Sequence, residues 1–331
     1  MYAPLLTENR SGTFDLIRYG YLCIVDEHSK VLYQAGDAED FVFYRSASKP
    51  IQSLPVFKYG LDRKYGLTDE EAVILSGSHA GMPVHVAAVE NILRKAGFDE
   101  DILCMNPAAP GDEASNERRL RAGLPKRKVY HNCSGKHCAL LMVQRELGGA
   151  PEDYWKVGTP VHREVEDTIK AVSEAEEVKI GVDGCGVPVF AVPMRSIAAA
   201  YKNLACIDTL PGGELQRLAA ENVARIGRHP HMIRGEGYLC TIMNQDPNII
   251  AKGGANGVYG FGLKRQRLGV ALKFVDGTEG AWPFLIWEIL SALGALSDET
   301  MQRLETLHPK YFVNDNDAVV GARESLVQIS I

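Results

Sequence analysis

No stretch of 18 consecutive apolar residues occurs in the chain, which excludes an ordinary membrane-spanning helix. A basic arm is missing too. The 36 Lys and Arg are interspersed with 42 Asp and Glu, for a formal charge of -6, so a nucleic-acid backbone is not the natural partner. The start, MYAPLLTENRSGTFDLIRYG, lacks the basic stretch and apolar core of an export signal, and a cytoplasmic location is expected. Seven cysteines, odd in number and irregular in spacing, supply no disulfide framework. Free thiols are expected, and most of them, such as Cys23 in GYLCIVD and Cys206 in NLACID, read as core packing. There are no internal repeats and no low-complexity tract. What is present is a globular composition, 46% hydrophobic and 24% charged, long enough for one large domain or two fused lobes. Its natural partner is a small solute.

The pattern along the chain reads as α+β. GYLCIVDEHSKVLYQAG is a hairpin, two short apolar runs around a polar turn. IQSLPVFKYGLDRKYG carries apolar side chains at helical intervals. TDEEAVIL and a segment from GMPVH to RKAG are helices, with Thr68 as a cap of the first and a glycine closing the second. HNCSG is a turn feeding a helix whose apolar face is Leu140, Leu141, Val143 and Leu147. Thr159 and Pro160 are placed as N-cap and first residue of another amphipathic helix. VKIGVDGCGVPVFAVPM reads as strand, tight loop, strand, and LQRLAAENVARIGRHPHMI as a helix. GYLCTIMN, IIAKGGANGVYGFGL and LGVALKFVDG read as an antiparallel meander, and AWPFLIWEILSALGAL as a buried helix. Strands at both ends with helices between them imply one antiparallel sheet built from both chain ends and flanked by helices. The expected organisation is a single catalytic unit over 1–331, with a sheet lobe over about 1–45 plus 178–331 and a helical lobe over about 46–177.

Four stretches carry candidate chemistry. In RSASKP, Ser46 and Lys49 are three apart, so one helical turn puts both side chains on one face. A neutral lysine there can accept the hydroxyl proton, provided burial or a neighbouring cation lowers its pKa from the free value of ~10.4. Pro50 permits this only if it falls in the first turn of the helix or the backbone bends there. In LSGSHAG, glycine-flanked Ser76 and Ser78 lie in a turn. Ser78 is the better proton relay, because Ser78 and His79 are adjacent and do not face each other on a helix. In AKGGANG, Lys252 precedes two glycines, where its ammonium can hold a carboxylate or keep Lys49 neutral by repulsion. In HNCSGKHC and VDGCG, His131, Cys133, Lys136, His137, Cys138, Asp183 and Cys185 supply metal donors at two turns, and Cys133 before a helix start is also a candidate nucleophile.

Taken together, RSASK, SGSH, HNCSGKH, DGCG and AKGGANG resemble the rhizobial-type, or class 3, L-asparaginase family, over almost the whole chain. The resemblance implies a fold like that of serine β-lactamases and serine-dependent glutaminases, with a helical subdomain. It implies hydrolysis of the side-chain amide of L-asparagine to L-aspartate and ammonia, with Ser46 as nucleophile, Lys49 as its base, Ser78 as a hydroxyl relay and Lys252 as a second lysine. It also implies a homodimer and an ancillary zinc ion held by Cys133, Lys136, Asp183 and Cys185. One departure separates the chain from penicillin-binding relatives: KGG lacks a hydroxyl at its middle position. A cysteine-dependent amidase using Cys133 and a non-catalytic zinc-containing amino-acid-binding protein are the alternatives.

Overall fold

The computed structural model describes residues 1–307 and 310–331, which divide into two compact units. One comprises Met1–Ala47, Val192–Thr209 and Gly237–Ile331; the other comprises Ser48–Ala191 and Leu210–Glu236.

The first unit is built on an antiparallel sheet of eight strands. Its order is Tyr311–Val313, Val319–Ser325, Ala3–Arg10, Thr13–Val25, Leu268–Phe274, Val258–Leu263 and Ile249–Gly254, with Val31–Ala35 also paired to the long second strand. Both chain ends thus enter one sheet, and the expected opening hairpin is present as Thr13–Val25 with Val31–Ala35. Strands 249–254 and 258–263 are buried at every residue, so both of their faces are covered. Helix Met194–Ala205 lies close on one face because glycines meet it. A Cβ at Gly262 would come within 2.0 Å of the Tyr201 carbonyl, and one at Gly269 within 2.0 Å of the Ala198 carbonyl. The apolar helix Trp282–Ala292 is buried as expected, with Trp282 edge-on to Tyr259 at 5.2 Å.

One strand expectation fails in this unit. GYLCTIMN holds the helix Leu239–Gln245, not a strand. Cys240 through Asn244 are all buried, and a short run buried on every side carries no period by which strand and helix can be told apart. Asn244 explains the helix's position. Its side-chain amide donates to the Ala251 carbonyl at 2.8 Å and accepts from the Ala251 N–H at 3.0 Å, pairing the outer edge of strand 249–254 as a neighbouring strand would.

The second unit is mainly helical: Asp69–Ile74, Pro83–Ala96, Glu113–Arg121, Ser134–Glu146, Pro160–Ser173 and Gly213–Arg228 are its longer helices. Thr68 forms a capping box with Glu71, and Gly97 closes Pro83–Ala96 in the left-handed conformation. Thr159 occupies the N-cap position before Pro160, but its hydroxyl donates to the Lys156 carbonyl and does not cap the helix. VKIGVDGCGVPVF forms the expected hairpin, with 179–182 paired to 188–191. No helix among the described residues is long and apolar enough to cross a membrane.

Candidate active site

The helical unit gathers its chemistry around the Lys49 amine. A 3-10 turn, Arg45–Ser48, runs directly into the helix Lys49–Gln52, and Pro50 falls in its first turn, where the missing N–H costs nothing. Lys49 is fully buried. Its Nζ donates to the Gly77 carbonyl at 2.9 Å and lies 2.9 Å from Ser78 Oγ, 3.2 Å from Cys133 Sγ and 3.5 Å from the Asn132 carbonyl. Burial, aided by the charge of Lys136, lowers the Lys49 pKa, although the nearby Cys133 opposes that shift.

Two chain segments hold these partners. Residues 76–80 leave the helix Asp69–Ile74 and are strung against 233–234: the Ser78 N–H donates to the Ile233 carbonyl and the Ala80 N–H to the Arg234 carbonyl, both at 2.7 Å. Cys133 stands at the N-cap position of Ser134–Glu146, a helix buried continuously from Ser134 to Gln144. That helix start comes against residue 74 only because position 135 is glycine: a Cβ there would lie 2.3 Å from the Ile74 carbonyl oxygen.

Behind Cys133 sits a second group. The loop after strand 179–182 turns on Gly186, at φ 92°, and presents Cys185, whose Sγ is 3.2 Å from Lys136 Nζ. Cys133 and Cys185 act on each other electrostatically, and their proton affinities move in opposite directions. A hydrogen bond from Cys185, with the charges of Lys49 and Lys136, holds the Cys133 thiol well below its ordinary range, while the same bond and burial push Cys185 up. Burial pulls the Lys136 ammonium down, but Cys185, Cys133 and Asp183 outweigh it and raise its pKa above the ordinary lysine value.

The other sequence candidates have contacts of their own. Ser46 is half-buried in its 3-10 turn, beside Arg45, whose φ of 49° is left-handed; a non-glycine residue there stores backbone strain of the kind that collects at functional turns. Lys252, fully buried in the sheet unit, donates to the Gly253 carbonyl at 2.6 Å. Ser76 bonds Ser53 at 2.8 Å and takes a bond from Asn222, a buried polar knot within the helical unit. His137 faces the Tyr154 hydroxyl at 2.8 Å, and His131 Nδ1 accepts the Cys133 N–H at 3.1 Å. Cys138 is buried, which raises its pKa to about 12 and leaves it a packing thiol. Sequence reasoning set His79 aside as a partner of Ser78 and offered it no other; its ring reaches Ser134 at 2.7 Å. No local signal marks that pair, because 55 residues separate its members.

A family model described as L-asparaginase II matches residues 6–325. The chain belongs to the L-asparaginase II family. As a member it is a hydrolase of the amidohydrolase kind, acting on a small amide. No curated protein matches the chain. Among solved structures, a β-lactamase of Mycobacterium bovis is similar at 14% sequence identity and a TM-score of 0.44, covering 83% of this chain and 94% of its own. A class C β-lactamase of Rhodobacter sphaeroides is similar at 12% identity and a TM-score of 0.39, covering 87% of this chain and 93% of its own.

The expectation of zinc is overturned in this family member. Among the described residues no group of three or more His, Cys, Asp and Glu is placed to hold a metal ion. Cys133, Lys136, Asp183 and Cys185 therefore do not make a zinc site, and the zinc-containing binding protein falls with it. The donor chemistry gives the reason. Each thiol faces a lysine amine instead: Lys49 Nζ lies 3.2 Å from Cys133 Sγ and Lys136 Nζ 3.2 Å from Cys185 Sγ.

Proposed function

We propose that the chain hydrolyses the side-chain amide of L-asparagine to L-aspartate and ammonia through an acyl-enzyme on Ser46. Family membership supports the amide chemistry, and the observation that carries the base is Lys49: a fully buried amine with a lowered pKa, hydrogen-bonded to Ser78. Lys49 takes the Ser46 proton as Oγ attacks the amide carbon. The proton then passes through Ser78 to the departing nitrogen, which leaves as ammonia. Water attacks the resulting ester as Lys49 takes its proton, and Lys49 then passes that proton to Ser46 Oγ as the ester bond breaks and aspartate departs. Lys252 is assigned the substrate carboxylate. One methylene separates asparagine from glutamine, so a pocket can discriminate between them by only about 1–3 kcal/mol.

The cysteine amidase stays a distinct second reading, because Cys133 has the lowered pKa of a nucleophile. Ammonia release from L-asparagine by Ser46→Ala and Cys133→Ala proteins separates the two. Ser46→Ala is expected to lose at least about a thousandfold in kcat while remaining folded, and Cys133→Ala to keep turning over. Near-normal turnover by Ser46→Ala sinks the serine mechanism.

A further inference from the structure

His79 and Ser134 stand one residue beyond the two groups that hold the Lys49 amine: His79 follows Ser78, and Ser134 follows Cys133. The hydrogen bonds decide the state of the histidine. Its Nδ1 accepts the Gly81 N–H at 3.2 Å and so carries no proton. The proton is on Nε2, which donates to Ser134 Oγ at 2.7 Å, and that hydroxyl in turn donates to the Val129 carbonyl at 3.1 Å. Burial and the neighbouring His85 keep the ring neutral, well below the ordinary histidine pKa. His85 itself, 5.4 Å away, accepts the Met82 N–H on Nδ1 and faces the His231 carbonyl with Nε2 at 3.0 Å, so it too presents a fixed neutral ring.

We propose that His79 and Ser134 form a positioning brace that ties the Ser78 segment to the Cys133 turn and so fixes where Ser78 Oγ and Cys133 Sγ meet the Lys49 amine. Three observations carry it. Neither side chain is exposed at all, so their polar atoms have no solvent to turn to. The chain Gly81 N–H to His79 to Ser134 to Val129 uses each group in one direction only, which fixes the ring orientation. Gly135 independently brings the same helix start against Ile74, so the brace joins two segments already in close approach. His79 touches neither Ser46 nor Lys49 through any of these bonds; it acts through its neighbours. The catalytic consequence rests on the role proposed above for Lys49, but the geometry does not.

The test therefore has a structural and a kinetic arm. A crystal structure of Ser134→Ala is expected to show Ser78 Oγ or Cys133 Sγ moved beyond 3.5 Å from Lys49 Nζ. Asparagine turnover is expected to fall by up to about a hundredfold in kcat, as misplacement of a catalytic group by about 1 Å does, with KM within about twofold and recovery in Ser134→Thr, which restores the hydroxyl. His79→Gln, whose amide can still offer an N–H toward Ser134, is expected to lose less than His79→Leu. The brace is overturned if both contacts persist in Ser134→Ala, or if kcat is unchanged. If Ser134→Ala does not fold, His79→Gln and His79→Leu carry both arms; failure of all three to fold overturns the proposal in favour of a purely stabilising pair. Should wild type release no ammonia from asparagine, the proposed function fails and the crystal structures alone decide the brace.

Discussion

Lys49 places an amine where water cannot reach it, and its proton affinity is set by what replaced the water. Burial drives its pKa down, Cys133 pushes it up and Lys136 pushes it down again. The sign of each contribution is testable. A thiolate at Cys133 stabilises the protonated amine, so Cys133→Ala removes a charge that favours the proton and lets Lys49 become neutral at lower pH. The acid limb of the pH profile of kcat/KM is then expected to move toward lower pH in Cys133→Ala, and a move toward higher pH contradicts the assignment. Ser46, Lys49, Ser78 and Cys133 were all legible as candidates from their local strings. The partner set of the Lys49 amine was not, since Ser78 lies 29 residues and Cys133 84 residues away along the chain.

Among the elements, the helix Ser134–Glu146 shows how a local rule can change sign. Replacing a glycine within a helix by alanine ordinarily stabilises by about 0.5–1 kcal/mol, because glycine loses more backbone freedom on folding. Gly227, near the end of helix Gly213–Arg228, has nothing within 4 Å of its missing Cβ and should follow that rule. At Gly135 the new methyl would stand 2.3 Å from the Ile74 carbonyl oxygen, so Gly135→Ala is expected to destabilise by about 1–3 kcal/mol. Thermal unfolding of the two variants should shift in opposite directions; stabilisation by both contradicts the close approach. The same contrast separates the elements read correctly from the one misread. Thr68 with Glu71 and the glycine after Ala96 are signals written in consecutive residues, whereas the helix Leu239–Gln245 is held by Asn244 pairing with Ala251, a tertiary contact that its own residues do not announce.

At the scale of the whole molecule, the sheet unit is closed by strands from opposite ends of the sequence. Glu8 in Ala3–Arg10 is the cross-strand partner of Arg323 in Val319–Ser325, and Arg323 Nε donates to Glu8 Oε1 at 2.8 Å with both side chains buried. Arg18 stands 3.5 Å from the same carboxylate. Arg323→Leu leaves that buried charge with its more distant partner, and a loss of about 3 kcal/mol in unfolding free energy is expected. Glu8→Leu combined with Arg323→Leu should recover most of it in a denaturant titration, because the buried carboxylate left with only the more distant Arg18 is the costly state. Equal losses in the single and double variants contradict this origin.

From sequence alone, the short apolar runs of the strands, the helix starts and stops, and the joint presence of RSASK, SGSH, HNCSGKH, DGCG and AKGGANG determined an α+β hydrolase with its chemistry at a few short turns. These are properties of neighbouring residues, which the chain carries whether folded or not. Folding decided the rest: the full burial that lowers the Lys49 pKa, the lysine amines that face Cys133 and Cys185 where a metal was expected, and the His79 to Ser134 contact. Proton affinity depends on desolvation and on charges a few ångströms away, and neither exists until segments distant in sequence are packed together.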